Sequence, residues 1–389
     1  MHITPRRRKI VSVSILNVMF LTFCSYVWNN LPLYTGEDIT QLSHIQWFWE
    51  VVGGRTVDEE LDSALFINVS YDKQLVEHRD ADGESLGKTD VTDRTKLLEL
   101  LRMAEEADNY KYLILDVRFE KGNYQSGDDA VFSQLKGMKR VVVATHRDIT
   151  TPEKFPSSKS ALADYYSTIT ATNFERYEYV GSGKPSVPLF AYKEMTGKDM
   201  EETGCFVTSD GKLCQKSLFL KFPSVHFDKV MANGDQRYYE LGRDMLGDLQ
   251  EDFAEMADGK VIVVGNFVED MHDTYIGMKP GPYILYKALR ALERGDYLVN
   301  WWHQLMWGLI YFLISCAIFA RTPILSRIPF IRNSKSRMLH FCLTFVGCGM
   351  LITVVNILMF FNGHVHSILF PSLYFSLLKY IITYRRLRV

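Results

Sequence analysis

Every Asp and Glu in this chain lies between Glu37 and Asp296; outside that window there are only positive charges and long uncharged apolar runs. The window holds 31 Lys and Arg against 46 Asp and Glu, a net −15, although the whole chain of 389 residues is only −2. A chain divided this way cannot fold as one soluble globule. An uncharged run of about 20 residues is long enough to cross a bilayer as a helix. Residues 10–28, 298–320 and 338–361 are such runs, and 367–384 is a fourth, carrying Pro371 and Lys379. The Lys379 ammonium could snorkel toward an interface. Trp301, Trp302 and Trp307 suit the aromatic belt at a membrane boundary.

Basic residues in short loops face the cytoplasm. Arg6, Arg7, Arg8 and Lys9 precede the first run, five Lys and Arg fall between Arg321 and Arg337, and Arg385, Arg386 and Arg388 follow the fourth. The expected topology has one span, an acidic domain at 31–296 outside, then three spans, with the N-terminus at 1–9 and a tail at 385–389 in the cytoplasm. No small-residue cleavage site follows the first run, which predicts an uncleaved anchor. Phe23 precedes Cys24 where a lipidation site needs a small residue, so Cys24 reads as an apolar-surface cysteine.

The acidic domain predicts a mostly parallel α/β fold. After a membrane-proximal helix or lead-in come a strand at 64–70, a helix at 92–108 capped by Thr92 or Asp93, a buried strand at 111–119, a helix at 128–138 and a strand at 140–146. This alternation implies parallel strands with right-handed crossovers. Residues 146–216 predict loops, short helices and hairpins. Beyond them the patterns give a strand at 216–223, a helix at 247–259, a strand at 260–266 and an amphipathic helix at 282–296. That last helix turns Tyr283, Leu285, Ala288, Leu289 and Leu292 inward and runs almost directly into the second span.

Glu269, Asp270, His272 and Asp273 crowd the loop after the 260–266 strand, and ligands of α/β sheets gather at the carboxyl ends of strands. Asp270, His272 and Asp273 are therefore candidates for a ligand or metal; the plainer alternative makes Asp273 a cap for loop amides. The spacing matches no H-E-x-x-H or Cys-rich metal signature, so no metal or cofactor is expected. The sequence has no G-x-x-x-x-G-K-[ST] phosphate loop and no G-x-S-x-G elbow. His364 and His366 read as an interfacial turn. Asn68 of "NVS" is formally a glycosylation acceptor but falls in a predicted buried strand. The acidity of the domain excludes nucleic acid as a partner.

The segment "KVIVVGNFVEDMHDTYIGMKPGPYILYKALRALERGD" resembles the closing signature of the type 2 CHASE family of extracellular sensory domains. A strand ends in Gly265, Asp273 and Thr274 follow, and Pro280 and Gly281 open a helix that ends near Gly295. "ALFINVSYDK", "KYLILDVRFEKG" with Asp116, and "DDAVFSQLKGMKRVVVATH" are similar to the family's opening half. Thr274 is followed here by Tyr275 rather than by the family's usual Pro. The resemblance implies a bacterial inner-membrane sensor with a periplasmic domain, one span before it and three after. Receptors of that family continue into an output domain, whereas this chain ends five residues after the fourth run. The expectation is thus a sensor of an unknown small ligand or periplasmic partner that signals to a separate membrane or cytoplasmic output protein, with a homo-oligomer as one expected form. The alternatives are an accessory subunit of a membrane complex and a metal-dependent hydrolase using Asp116, Asp270, His272 and Asp273; an enzyme is not expected.

A periplasmic placement also predicts a disulfide, because that compartment is oxidising. Cys24, Cys316, Cys342 and Cys348 fall in apolar runs, leaving Cys205 and Cys214. A hairpin turn at Asp210-Gly211 sets Val207 opposite Cys214. Cys205 is then offset by two residues, so a bridge needs a bulge or a longer loop; the alternative is a pair of free buried thiols or a zinc half-site.

Overall fold

The computed structural model describes residues 4–30, 37–55, 57, 61–80, 82–164, 166–167, 174–181, 184–223, 237–320, 336–362 and 367–384. The His364–His366 pair, the basic segment from Arg321 to Lys335 and the tail from Arg385 lie outside the described residues.

The acidic domain is built on one parallel sheet. Its strands are β1 (Ala64–Asn68), β2 (Tyr112–Asp116), β3 (Val141–Thr145), β4 (Ser160–Leu162), β5 (Tyr238–Glu240) and β6 (Val261–Gly265). They lie in the order β5-β1-β6-β2-β3-β4, with every neighbouring pair parallel. β1, β3 and β6 are buried at every position, as continuous Val/Ile/Leu runs require when both faces are covered. Leu65, Leu113, Val143 and Ile262 join one core with Leu97, Leu100 and Phe132 from the helices Arg94–Ala107 and Ser126–Gly137. Phe66, Ile114, Val142 and Val263 join the other, with Val187 and Leu289 from the helices Val187–Thr196 and Gly281–Arg294. The sheet is therefore covered by helices on both faces, as the strand-helix alternation predicts.

Local chemistry sets the boundaries. Asp93, one of the two expected caps, accepts from Thr95 N at 2.9 Å and Lys96 N at 3.2 Å, satisfying two orphan donors of the first turn. Arg94 beside it pairs with Asp128 at 2.6 Å, with both side chains only 2% exposed, tying the two helices of one face together. The helix Gly281–Arg294 departs from the amphipathic expectation. It is buried continuously from Gly281 to Leu289, wedged between the sheet and the helix Val187–Thr196. The expected helix at 247–259 is broken. A π-helical turn covers Leu241–Asp248, Gly247 leaves helical geometry, and only Phe253–Ala257 is α-helical. The expected strand at 216–223 shrinks to Ser217–Leu218. A two-stranded hairpin, Lys73–Arg79 with Ser85–Thr92, interrupts the strand-helix alternation.

Among the described residues three helices are long and apolar enough to cross a membrane: Pro5–Asn30, Trp301–Phe319 and Met338–Met359. The expected fourth is the shorter apolar helix Leu369–Thr383. Pro371 sits in its first turn, where a missing N–H costs nothing, and so marks the helix start. The polarity of this bundle is inverted. Leu16, Met19, Leu305, Met350 and Leu358 are exposed, whereas Ser14, Asn17, Ser315 and Ser372 are buried. Asn17 Nδ2 donates to Ser315 Oγ at 2.8 Å and the Tyr374 hydroxyl donates to Asn17 Oδ1. Small and polar residues inside with apolar residues outside is the packing of helices in lipid, and the protein is membrane-associated. Lys379 donates to Thr344 Oγ1 at 3.0 Å. Trp301 and Trp302 are 80% and 74% exposed, as a belt requires, but Trp307 is buried.

The Asp210-Gly211 hairpin has the expected register, with Ser209 opposite Lys212, Thr208 opposite Leu213 and Val207 opposite Cys214. The expected disulfide is absent, and Cys205 and Cys214 are free thiols. No bulge corrects the two-residue offset. Cys205 instead sits in the turn between Glu201–Thr203 and Phe206–Ser209 and is exposed, while Cys214 is fully buried. Burial pushes the Cys214 thiol up to about 11, which leaves almost none of the reactive thiolate near neutral pH. In non-reduced, denatured protein both cysteines should take up an alkylating label, and in folded protein Cys205 should react and Cys214 should not. Asp93→Ala should cost about 1 kcal/mol in thermal or chemical melts of the solubilised chain.

Candidate functional site

Three strands of the parallel sheet deliver side chains to one cleft at their carboxyl ends. Asp116 closes β2, His146 follows β3 and Asp164 follows β4 by two residues. The opposite wall belongs to a second sheet, in which Phe174–Glu178 pairs with Ser217–Leu218 and, through Phe174 and Thr274, with the hairpin Met271–Thr274/Gly277–Pro280. That wall supplies Tyr177 and His272, with Asp270 just before the hairpin. Gly281, Ile284 and Leu285 of the helix Gly281–Arg294 close the rim. The cleft has a volume of about 160 Å³, close to that of an engineered cavity that admits benzene.

Two glycines make this geometry possible. A Cβ on Gly281 would run into the Asp270 carboxylate and lie 3.1 Å from His272 Nε2. A Cβ on Gly265, the last residue of β6, would strike the Pro282 ring and press on Asp116 Cβ at 3.2 Å. Gly265 and Gly281, singled out in the sequence, therefore set how closely helix, loop and strand end approach. Asn266 shapes the loop between them, its Oδ1 accepting from Val268 N at 3.1 Å and Glu269 N at 2.8 Å. Asn68, the formal glycosylation acceptor, is fully buried and accepts from Phe267 N at 3.2 Å.

The charged groups fall into two pairs and one remainder. His146 Nδ1 meets Asp164 Oδ1 at 2.9 Å, and Asp164 Oδ2 accepts from Arg147 N at 2.9 Å. The hydrogen bond that His146 donates to Asp164 raises the His146 pKa, against the opposing effect of burial. Burial also works against the Asp164 charge, but its bonds to His146 and Arg147 hold its carboxyl below the usual range. His272 Nε2 pairs with Asp270 Oδ1 at 3.0 Å. Asp116 has no hydrogen-bond donor or cation partner of its own among the described residues. Desolvation, followed by repulsion from Asp270, pushes its carboxyl up to about 7 despite the two nearby histidines. The Tyr177 hydroxyl is fully buried on the inner wall beside that of Ser186, and neither completes a well-formed hydrogen bond. The cleft can thus hold a cation or a hydrogen-bonding group and exchange a proton near neutral pH.

Of the residues marked in the sequence, Asp116, Asp270, His272 and Gly281 come together. Asp273 does not; its side chain is exposed, opposite Met278, and takes no part in capping. The turn is held instead by Thr274, whose Oγ1 donates to Gly277 O at 2.6 Å. His146, Asp164 and Tyr177 escaped the sequence reading. The signal available for His146 was its place directly after a buried strand; Asp164 and Tyr177 lie in a stretch without periodicity. Among the described residues no three His, Cys, Asp or Glu side chains converge as a metal site requires. No protein-family model, curated protein or solved structure matches the chain.

The folded state holds the Asp116 proton more tightly than an unfolded chain, where an aspartate titrates near 3.9. Its contribution to stability is full at low pH and is lost as pH rises from about 4 through about 7. Asp116→Asn should therefore raise the melting temperature clearly at pH 8, less at pH 5 and hardly at all below pH 4. An equal shift at all these pH values would contradict the raised pKa. Gly281→Ala should lower the melting temperature at every pH, because the clash is steric.

Proposed function

We propose that the protein is a membrane-anchored sensor whose α/β domain binds a small ligand and passes the binding event to its membrane helices. One observation carries this reading. The helix Gly281–Arg294 begins in the cleft and ends six residues before the span that starts at Trp301. Fourteen residues at 1.5 Å each make a strut of about 21 Å between ligand site and membrane. It is buried on most sides, so displacing its start displaces its end.

The connecting segment is tied to the first span as well. Tyr297 O accepts from Gln215 N at 2.8 Å, and Val299 N donates to Leu213 O at 2.9 Å. Cys214 O, between those two residues, accepts from the Tyr26 hydroxyl of Pro5–Asn30 at 2.9 Å. A ligand shifts such a system only through different affinity for its two states; the strut and this stitching give those states a route to the bundle.

The basic flanks support a cytoplasmic location for both termini and a periplasmic location for the acidic domain in a bacterial inner membrane. They also support Leu369–Thr383 as a fourth span. This layout and the loop that contains Gly265 and Gly281 agree with the resemblance to CHASE sensors.

Coupling can be tested without knowing the ligand. Cys316 Sγ lies 3.4 Å from Ser14 Oγ across the first two spans, so Ser14→Cys gives a thiol pair whose crosslinking rate reports their packing. Leu285→Trp, which fills the cleft, should change that rate severalfold. Inserting two glycines after Asp296 should erase the difference. If cleft filling leaves the rate unchanged in the uninterrupted chain, the strut does not couple the two regions.

A further inference from the structure

The charge balance of the cleft specifies the chemical class of its ligand. Each of two carboxylates already has an imidazole partner, Asp164 with His146 and Asp270 with His272. Arg147 lies against Asp164 as well, with Nε at 3.8 Å. The third carboxylate, Asp116, stands between the pairs without a cation among the described residues. A desolvated carboxylate is costly unless it is paired or protonated, so when Asp116 ionises the described residues leave it in want of a positive charge.

The other features narrow that charge to an organic cation. A divalent metal would need ligands that converge, and the described residues offer no such group. The start of the helix Gly281–Arg294 would favour an anion, but Gly281 N donates to Asp270 O at 2.7 Å and the Asp270 carboxylate lies against it. Ile284, Leu285 and Ala163 give part of the lining an apolar character, useless to a bare ion and suited to a short hydrocarbon. Tyr177 lines the cleft, and its buried hydroxyl, which meets only the Ser186 hydroxyl in a poorly formed bond, has capacity for a further polar partner. Buried hydroxyls in native proteins are nearly always satisfied.

We infer that the ligand is a small protonated primary amine, its ammonium seated on Asp116 between the two imidazole–carboxylate pairs, its apolar body on Ile284 and Leu285, and Tyr177 within its hydrogen-bonding reach. This deepens the sensor reading and rests on it for biological meaning, but its test does not use the crosslinking assay. Calorimetric titration of the detergent-solubilised full chain at pH 7.5 would compare propylamine and butylamine with 1-butanol and butyrate.

The amines should bind at least tenfold more tightly than the alcohol or the carboxylate. Asp116→Asn should remove at least tenfold of the amine affinity. Tyr177→Phe, an isosteric change that keeps the wall intact, should remove a smaller part, a few-fold; thermal melts of each variant would verify folding. Absence of amine binding, butanol or butyrate binding as tightly as the amines, or amine affinity unmoved by both substitutions would overturn the assignment. Amine binding to a chain whose cleft does not influence crosslinking of the spans would uphold the ligand class and defeat the sensor reading instead.

Discussion

The cleft depends on how closely the start of one helix can approach the end of one strand. β6 ends at Gly265, and Pro282 of the helix Gly281–Arg294 sits where the Cβ of any other residue would be. Gly281 in turn lets the Asp270 carboxylate lie against the helix start. With larger residues at both positions, the helix would have to lift away from the sheet. Asp116 would then be solvated, its carboxyl would return toward the ordinary range, and the second sheet would lose its purchase on the first. Packing of backbone against backbone thus creates the electrostatics.

Those electrostatics concern the placement of charge more than its amount. Three carboxylates and two imidazoles in a small space could all have paired into structural ion pairs. Instead two pairs form, and the remaining carboxylate, half-buried at the end of β2, is desolvated enough to retain a proton up to about pH 7. Buried acidic groups of this kind recur at functional sites because their ionisation is open to a ligand's influence. The two nearby imidazoles offset only part of the stability lost by holding Asp116 there.

The same helix links two solvents. Its first turn faces the cleft and its last residues precede a bundle with apolar side chains outside and Asn17, Ser315 and Tyr374 hydrogen-bonded within. Between them the chain is stitched through residues 213–215 to the hydroxyl of Tyr26. Trp49 Nε1 donates to Ile357 O at 2.6 Å, while Gln46 of the same helix, Glu37–Val51, accepts from the Tyr275 hydroxyl at 2.6 Å. The α/β domain therefore touches the bundle through the first and third apolar helices and runs directly into the second.

Much of the fold was legible in the residues. Buried strands announce themselves as runs such as "VIVVG" because a sheet covered on both faces has no polar side to encode, and helix Arg94–Ala107 is marked by its leucine spacing and by Asp93. The apolar runs declare membrane association because no water is available there to solvate charge. The hairpin register around Asp210-Gly211 followed from local turn chemistry, and so did the offset of Cys205 from Cys214; the absence of the bulge that would have bridged them did not. Of the cleft, only Asp116, Asp270, His272 and Gly281 could be seen in advance, since they end strands or sit in a marked loop. Tertiary structure alone decided that Asp270 and His272 turn inward while Asp273 turns out, because alternation along a strand sends neighbours to opposite faces and only packing selects which face is inside. It alone brought His146, Asp164 and Tyr177 to Asp116, because residues from separate strands of two sheets become neighbours only through the order in which the strands assemble, and no local pattern records that order.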